Sequence, residues 1–160
     1  MEKKKKNSMA FSTFISIALL AILVVALIDN FDTDNYIEAD VLEVYDTTIV
    51  VGTGCRAIVA ETSPERAYSI ETGMAGIIDE RPNTHDIFAE TLKSFNITLD
   101  YVTIDSYVDG IYYSKLVLKT DEKVLRLDSK PSDAIALALR TNSSIYINNT
   151  MLEEVGQIIC

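Results

Sequence analysis

The stretch from Asp128 to Arg140 constrains this chain more than any other. It opens with charged and polar residues around Pro131, then runs through six consecutive small or apolar residues, Ala134 to Leu139, before Arg140 closes it. Pro131 suits the first position of a helix, where its missing N–H costs nothing, and Asp133 falls in the first turn near the positive dipole end. A helix that is apolar on nearly every face has to lie inside a core. Alternating Ala and Leu let neighbouring elements come close. The fold therefore has a central helix with a polar cluster, Asp128, Lys130, Ser132 and Asp133, fixed at its mouth.

What surrounds that helix is bounded by length and charge. At 160 residues the chain holds one domain, and its first part reads as lying outside that domain. Residues 1–8 form a basic N-terminus with Lys3 to Lys6 in succession, and Met9 to Ile28 carry no charge. Twenty helical residues span about 30 Å, the thickness of a bilayer's hydrocarbon core. Residues 9–28 are therefore read as a transmembrane anchor, or as a signal peptide if the small residues Val24, Val25 and Ala26 precede a cleavage site. Lysines before the segment and Asp29, Asp32 and Asp34 after it put the N-terminus in the cytoplasm and the domain outside, on the cell membrane or secreted. Sequons at Asn96, Asn142 and Asn148 agree with that orientation. Residues 29–38 read as a tether and 39–160 as the domain.

The formal charge is −10, and without residues 1–28 the remainder holds ten Lys/Arg against twenty-three Asp/Glu. That is a poor match to a nucleic-acid backbone, which clustered cations normally meet. Cys55 and Cys160 lack the spacing of a zinc site. They are expected to be free thiols, with a disulfide as the alternative in an oxidising compartment.

In the domain, short runs of period two predict strands over Val41–Tyr45, Thr48–Val51, Cys55–Glu61 and Ala67–Ile70, an antiparallel meander. A short helix is predicted over Gly73–Ile78. A second follows from His85 to Phe95, with Thr84 as its N-cap and Asp86 in its first turn. Leu99–Asp105 and Ile111–Lys119 read as strands joined through a hairpin turn at Asp109-Gly110. Val124–Leu127 and Ser144–Ile147 are the last strands, and Met151–Val155 a terminal helix. The class is α+β, a largely antiparallel, mixed sheet with three to four helices, preceded by one transmembrane helix.

Three motifs stand in order: Arg81-Pro82-Asn83-Thr84-His85-Asp86, Asp109-Gly110-Ile111-Tyr112-Tyr113, and the whole stretch from Asp128 to Arg140. Together they resemble the bifunctional nuclease (DNase-RNase) domain family, from about Ala39 to Gly156. The resemblance implies hydrolysis of phosphodiester bonds in RNA or DNA with low sequence specificity. Lys130 stands where the family usually has Arg, which keeps the charge but loses the planar fork suited to bidentate phosphate contacts.

That reaction needs a group to activate water and positive charge or metal for the phosphoryl oxygens. His85, the only histidine, is the candidate acid or base, with Asp86, Asp128 and Asp133 as catalytic carboxylates able to hold Mg²⁺ or Mn²⁺. Arg81, Thr84, Lys130 and Ser132 are the candidate substrate contacts. This constellation requires the helix starts at His85 and Pro131 to converge. Tyr101, Tyr107, Tyr112 and Tyr113 could stack bases or simply pack. Against the nuclease stands a non-catalytic, membrane-anchored binding or structural module in which the same residues are caps and ion pairs. Unpaired strand edges would suit a homo-oligomer.

Overall fold

A computed structural model describes residues 33–160. The expected basic N-terminus, the anchor and residues 29–32 of the tether lie outside the described residues; no helix among those described is long and apolar enough to cross a membrane. After a 3₁₀ turn at Thr33–Asn35, strand β1 runs over Tyr36–Tyr45, so the last residues assigned to the tether are strand. Strands β2 (Thr48–Thr53) and β3 (Arg56–Glu61) follow, then helices α1 (Pro64–Ala75) and α2 (Thr84–Ser94). Strands β4 (Thr98–Val108), β5 (Ile111–Lys119) and β6 (Val124–Ser129) lead into α3 (Pro131–Thr141). Strand β7 (Ser144–Asn148), α4 (Asn149–Val155) and β8 (Gln157–Ile158) finish the chain.

The strands form one sheet in the order β6-β5-β4-β7-β1-β2-β3-β8. Every pairing is antiparallel except β4 with β7, so the domain is α+β with a mixed sheet and four described helices. Val108 pairs with Ile111 across Asp109-Gly110, both at positive φ, as a tight hairpin with twist-matched strands requires.

The meander is shorter than the sequence suggests. Ala67–Ile70, expected as a fourth strand, are the middle of α1, and Gly73 to Ala75, expected to begin a separate helix, are its end. Pro64 sits at the first helical turn, and Ala67 and Ile70 are buried three residues apart, the spacing of a helix face. Gly76, at φ 64°, ends the helix in the left-handed conformation that glycine adopts without penalty.

Helix α3 is the centre of the core, as its apolar run demands. Ala134, Ala136, Leu137 and Ala138 are fully excluded from solvent and Ile135 nearly so. Burying Leu137 and Ile135 contributes roughly 1.5–3 kcal/mol each. The helix packs on β4, β5 and β7, with α1 and α2 against its flanks. The two cysteines are joined: Cys55, at the turn into β3, is disulfide-bonded to Cys160, contrary to the expected free thiols. Pairing of β8 with Arg56 and Ala57 brings the C-terminal residues alongside that turn.

Candidate functional site

The beginnings of α2 and α3 meet beside the middle of α1. At α2 the N-cap is Asn83, one residue before the expected Thr84. Its Oδ1 accepts from the backbone N–H of His85 (2.8 Å) and Asp86 (3.2 Å), while Asp86 Oδ2 accepts from Asn83 N–H (2.8 Å). This reciprocal box fixes His85 in the first turn. At α3, Lys130 takes the cap position without a side-chain cap bond and Pro131 begins the helix, which leaves Asp133 in the first turn.

His85 Nε2 lies 3.6 Å from Asp133 Oδ1, the same oxygen that accepts from Arg66 Nε at 3.1 Å. On the other side of the ring, Nδ1 shares a 2.9 Å hydrogen bond with the Oγ of buried Ser69. Three helices thus supply a row, Ser69, His85, Asp133, Arg66, running from the interior to the surface: the His85 side chain is 18% exposed and Asp133 36%. A serine beside a histidine and an aspartate invites comparison with nucleophilic triads. Here the hydroxyl is buried, so its part is to orient the ring. Burial pushes the His85 pKa below its ordinary value; Asp133 draws it up and Arg140 presses it down. The imidazole is therefore neutral at pH 7.

Asp86 faces away from this row. It forms a buried ion pair with Arg140 Nε, the side chains being 5% and 8% exposed. Arg140 also donates through Nη1 to the carbonyls of Ser69 and Ala136 (2.8 Å each) and through Nη2 to Thr72 Oγ1 (3.2 Å). Burial raises the Asp86 pKa, but the bonds from Arg140 and Asn83 outweigh it and hold the carboxyl below the usual range. Asp86 is thereby committed to joining α2 to α1 and α3.

The other expected residues are more scattered. Asp128 is exposed on β6 opposite Lys115, Arg81 is exposed in the loop before α2, and exposed Thr84 opens that helix. Lys130 and Ser132 line a cavity of about 360 Å³ at the start of α3, together with Arg66. Among the described residues no three His, Cys, Asp or Glu side chains converge. Asp86, Asp128 and Asp133 therefore do not fit the role of a shared metal-ligand set, and no chemical step is assigned to a protein-held cation. A larger cavity, about 1180 Å³, opens between α2 and the C-terminal ends of α1 and α3; Asp86 and Arg140 line it, but His85, Asp133 and Arg66 do not.

Arg66 and Ser69 are absent from the sequence-derived candidates because the pattern over Ala67–Ile70 predicts a strand where the chain is helical. Read as a helix, Arg66, Ser69 and Gly73 fall three and four residues apart on one face, which is the signal that would have found them.

The sequence of this α+β domain, whose central helix starts beside a histidine on a neighbouring helix, matches a known family. Residues 56–159 match the bifunctional nuclease domain, and the chain belongs to that family. It is 28% identical over 93 residues to an uncharacterized protein of Mycobacterium tuberculosis, covering 58% of this chain and 55% of that protein. Bifunctional nuclease 1 of Oryza sativa subsp. japonica is 34% identical over 79 residues, 48% of this chain and 24% of the rice protein. The chain thus spans about half the length of the bacterial relative and a quarter of the rice one.

Proposed function

We propose that the domain hydrolyses phosphodiester bonds of RNA or DNA, with low sequence specificity, at the surface end of the Ser69–His85–Asp133–Arg66 row. The observation that carries this reading is the 3.6 Å approach of His85 Nε2 to Asp133, with Arg66 on the same carboxylate oxygen. A neutral imidazole can take the proton of an attacking water, and Asp133 favours the imidazolium that forms. Arg66, with Lys130 beside the neighbouring cavity, supplies positive charge for the phosphoryl oxygens. Ser69 and the Asn83–Asp86 box hold the base in place. Membership of the family and the rice relative's name support the reaction class.

Residues 9–28 are proposed to direct the domain out of the cytoplasm, either retained as a membrane anchor or removed as a signal. The Cys55–Cys160 disulfide supports this, since such bonds persist in oxidising compartments. Protection of the domain from added protease in intact cells would overturn the orientation.

A second reading, a non-catalytic module, has its own observation. Arg66 and Arg140 are each already bonded to a carboxylate, and the chain's charge is −10. One assay separates the two. The full-length chain in mild detergent is incubated with single-stranded RNA and double-stranded DNA, with and without Mg²⁺ or Mn²⁺. Beside it run His85→Ala and Asp133→Asn variants. Loss of a general base lowers the rate by about 10²–10⁴-fold; equal degradation by all three proteins sinks the catalytic assignment.

A further inference from the structure

The smaller cavity contacts the row but is not part of it. Its apolar lining comes from Ile49, Val51, Ile58, Ile104 and Ile135, contributed by β2, β3, β4 and α3. Half-buried Tyr112, next to the β4–β5 turn, forms another part of the wall; its ring centroid lies 4.4 Å from that of Tyr107 at an interplanar angle of 41°, a contact that restrains it. The polar lining includes Arg66, Lys130 and Ser132, with Glu61 among them. Arg66 thus belongs to both places, lining the cavity while bonded to the carboxylate that His85 faces.

Resting on the nuclease reading, we propose that this cavity takes one unpaired nucleobase of a single-stranded nucleic acid and so makes the domain selective for single strands. The cavity, about 360 Å³, lies near the lower end of the roughly 300–1,000 Å³ of sites that enclose small ligands. It is large enough for one flat ring system with part of its sugar, whereas a base still paired and stacked in a duplex is not free to enter it. An apolar lining with a fixed tyrosine suits a stacked base and reads no sequence, in keeping with low specificity. The phosphate attached to that base is then placed at Arg66, within reach of the row. A duplex would have to give up a base first, which costs it stacking and pairing energy. Among the described residues Arg66 and Lys130 are the only cations that line the cavity, so binding there leans little on charge. The dependence of log K on log salt should have a slope no steeper than about −1.4, the value for two phosphates of a single strand.

Binding is tested on the full-length His85→Ala chain in mild detergent, which leaves the probe intact. The probes are a fluorescein-labelled hexauridylate and an RNA hairpin duplex, and Tyr112→Leu and Ala60→Phe are made in the same background. The first variant removes the stacking face; the second, at Ala60, which also lines the cavity, fills it from β3. The hexamer should bind at least tenfold more tightly than the duplex, and each variant should lose about tenfold or more. Uridine monophosphate should compete with the hexamer while ribose 5-phosphate does not, a comparison that needs no folded variant. Equal binding of hexamer and duplex, variants that bind like their parent, or equal competition by the two phosphates would overturn the proposal. Base-dependent binding without cleavage by the wild-type chain would support the cavity assignment and retire the nuclease reading. Cleavage without base-dependent binding would do the reverse.

Discussion

His85 is the residue at which structure and chemistry can be read from one signal. The chain has a single histidine, so its imidazole resonance needs no assignment. Burial holds its pKa below 6.5, against the upward pull of Asp133. Cleavage should therefore be flat at neutral pH and fall only as the pH drops through that lowered value. Asp133→Asn removes an upward pull, so the titration should move lower still. Stability follows the same sign. With the folded pKa below the unfolded one, the unfolded chain takes up the proton first, and stability is lost as pH falls below about 6.5. An NMR titration placing His85 at or above 6.5 would contradict this environment. At this scale the sequence was informative where chemistry is local. Asp133 near a helix start was legible, but which of Asn83 and Thr84 caps α2 was not, because both are good caps; Asp86, three residues after Asn83, decided it by closing the box. The burial of Asp86 against Arg140 spans 54 residues and could not be seen in any window.

Helices α1 and α3 are separated by little more than a glycine. A Cβ added to Gly73 would lie 2.7 Å from Arg140 Nη1 and 3.2 Å from Leu139 Cβ. The guanidinium cannot simply swing aside, since it is bonded to Asp86, two carbonyls and Thr72. Gly73→Ala should therefore destabilise the domain by roughly 1–3 kcal/mol by overpacking, despite a helix-propensity gain of about 1 kcal/mol. Arg140→Ala, which leaves the Asp86 carboxylate buried without its counter-charge, should cost about 3–5 kcal/mol. Urea unfolding of both single variants and the double would show a strong coupling, because once Arg140 is gone the alanine has room. Additive costs would mean the contact is not what makes this glycine necessary. The same helix shows where sequence patterning fails. Tyr68 and Ile70 favour strands, and the run from Ala67 to Ile70 is too short to separate periods of two and 3.6. Helix α3, with six apolar residues in a row and a proline at its start, left no such ambiguity.

Across the whole molecule, the disulfide is the longest covalent shortcut, joining residues 105 apart. It secures β8 and the end of the chain to the turn before β3. Cys160→Ser, or reduction of the wild-type chain, should lower stability by about 2–4 kcal/mol. Urea unfolding with and without reductant measures it, and a midpoint unmoved by either change would show the bond to be without weight in the fold. Neither this bond nor the strand order could be read along the chain, since both pair distant residues. The sheet order also has a consequence in time. Strands β1 to β3 and β4 to β6 are two sets of neighbours that can pair as soon as each is made, but they meet only through β7. That strand joins Tyr36–Ala39 on one side and Tyr101–Ile104 on the other. Sequence separation on this scale slows folding, so the arrival of β7 should set the pace. Until it arrives, β1 and β4 are both open edges, and two unfinished chains held close together could each accept the other's β7.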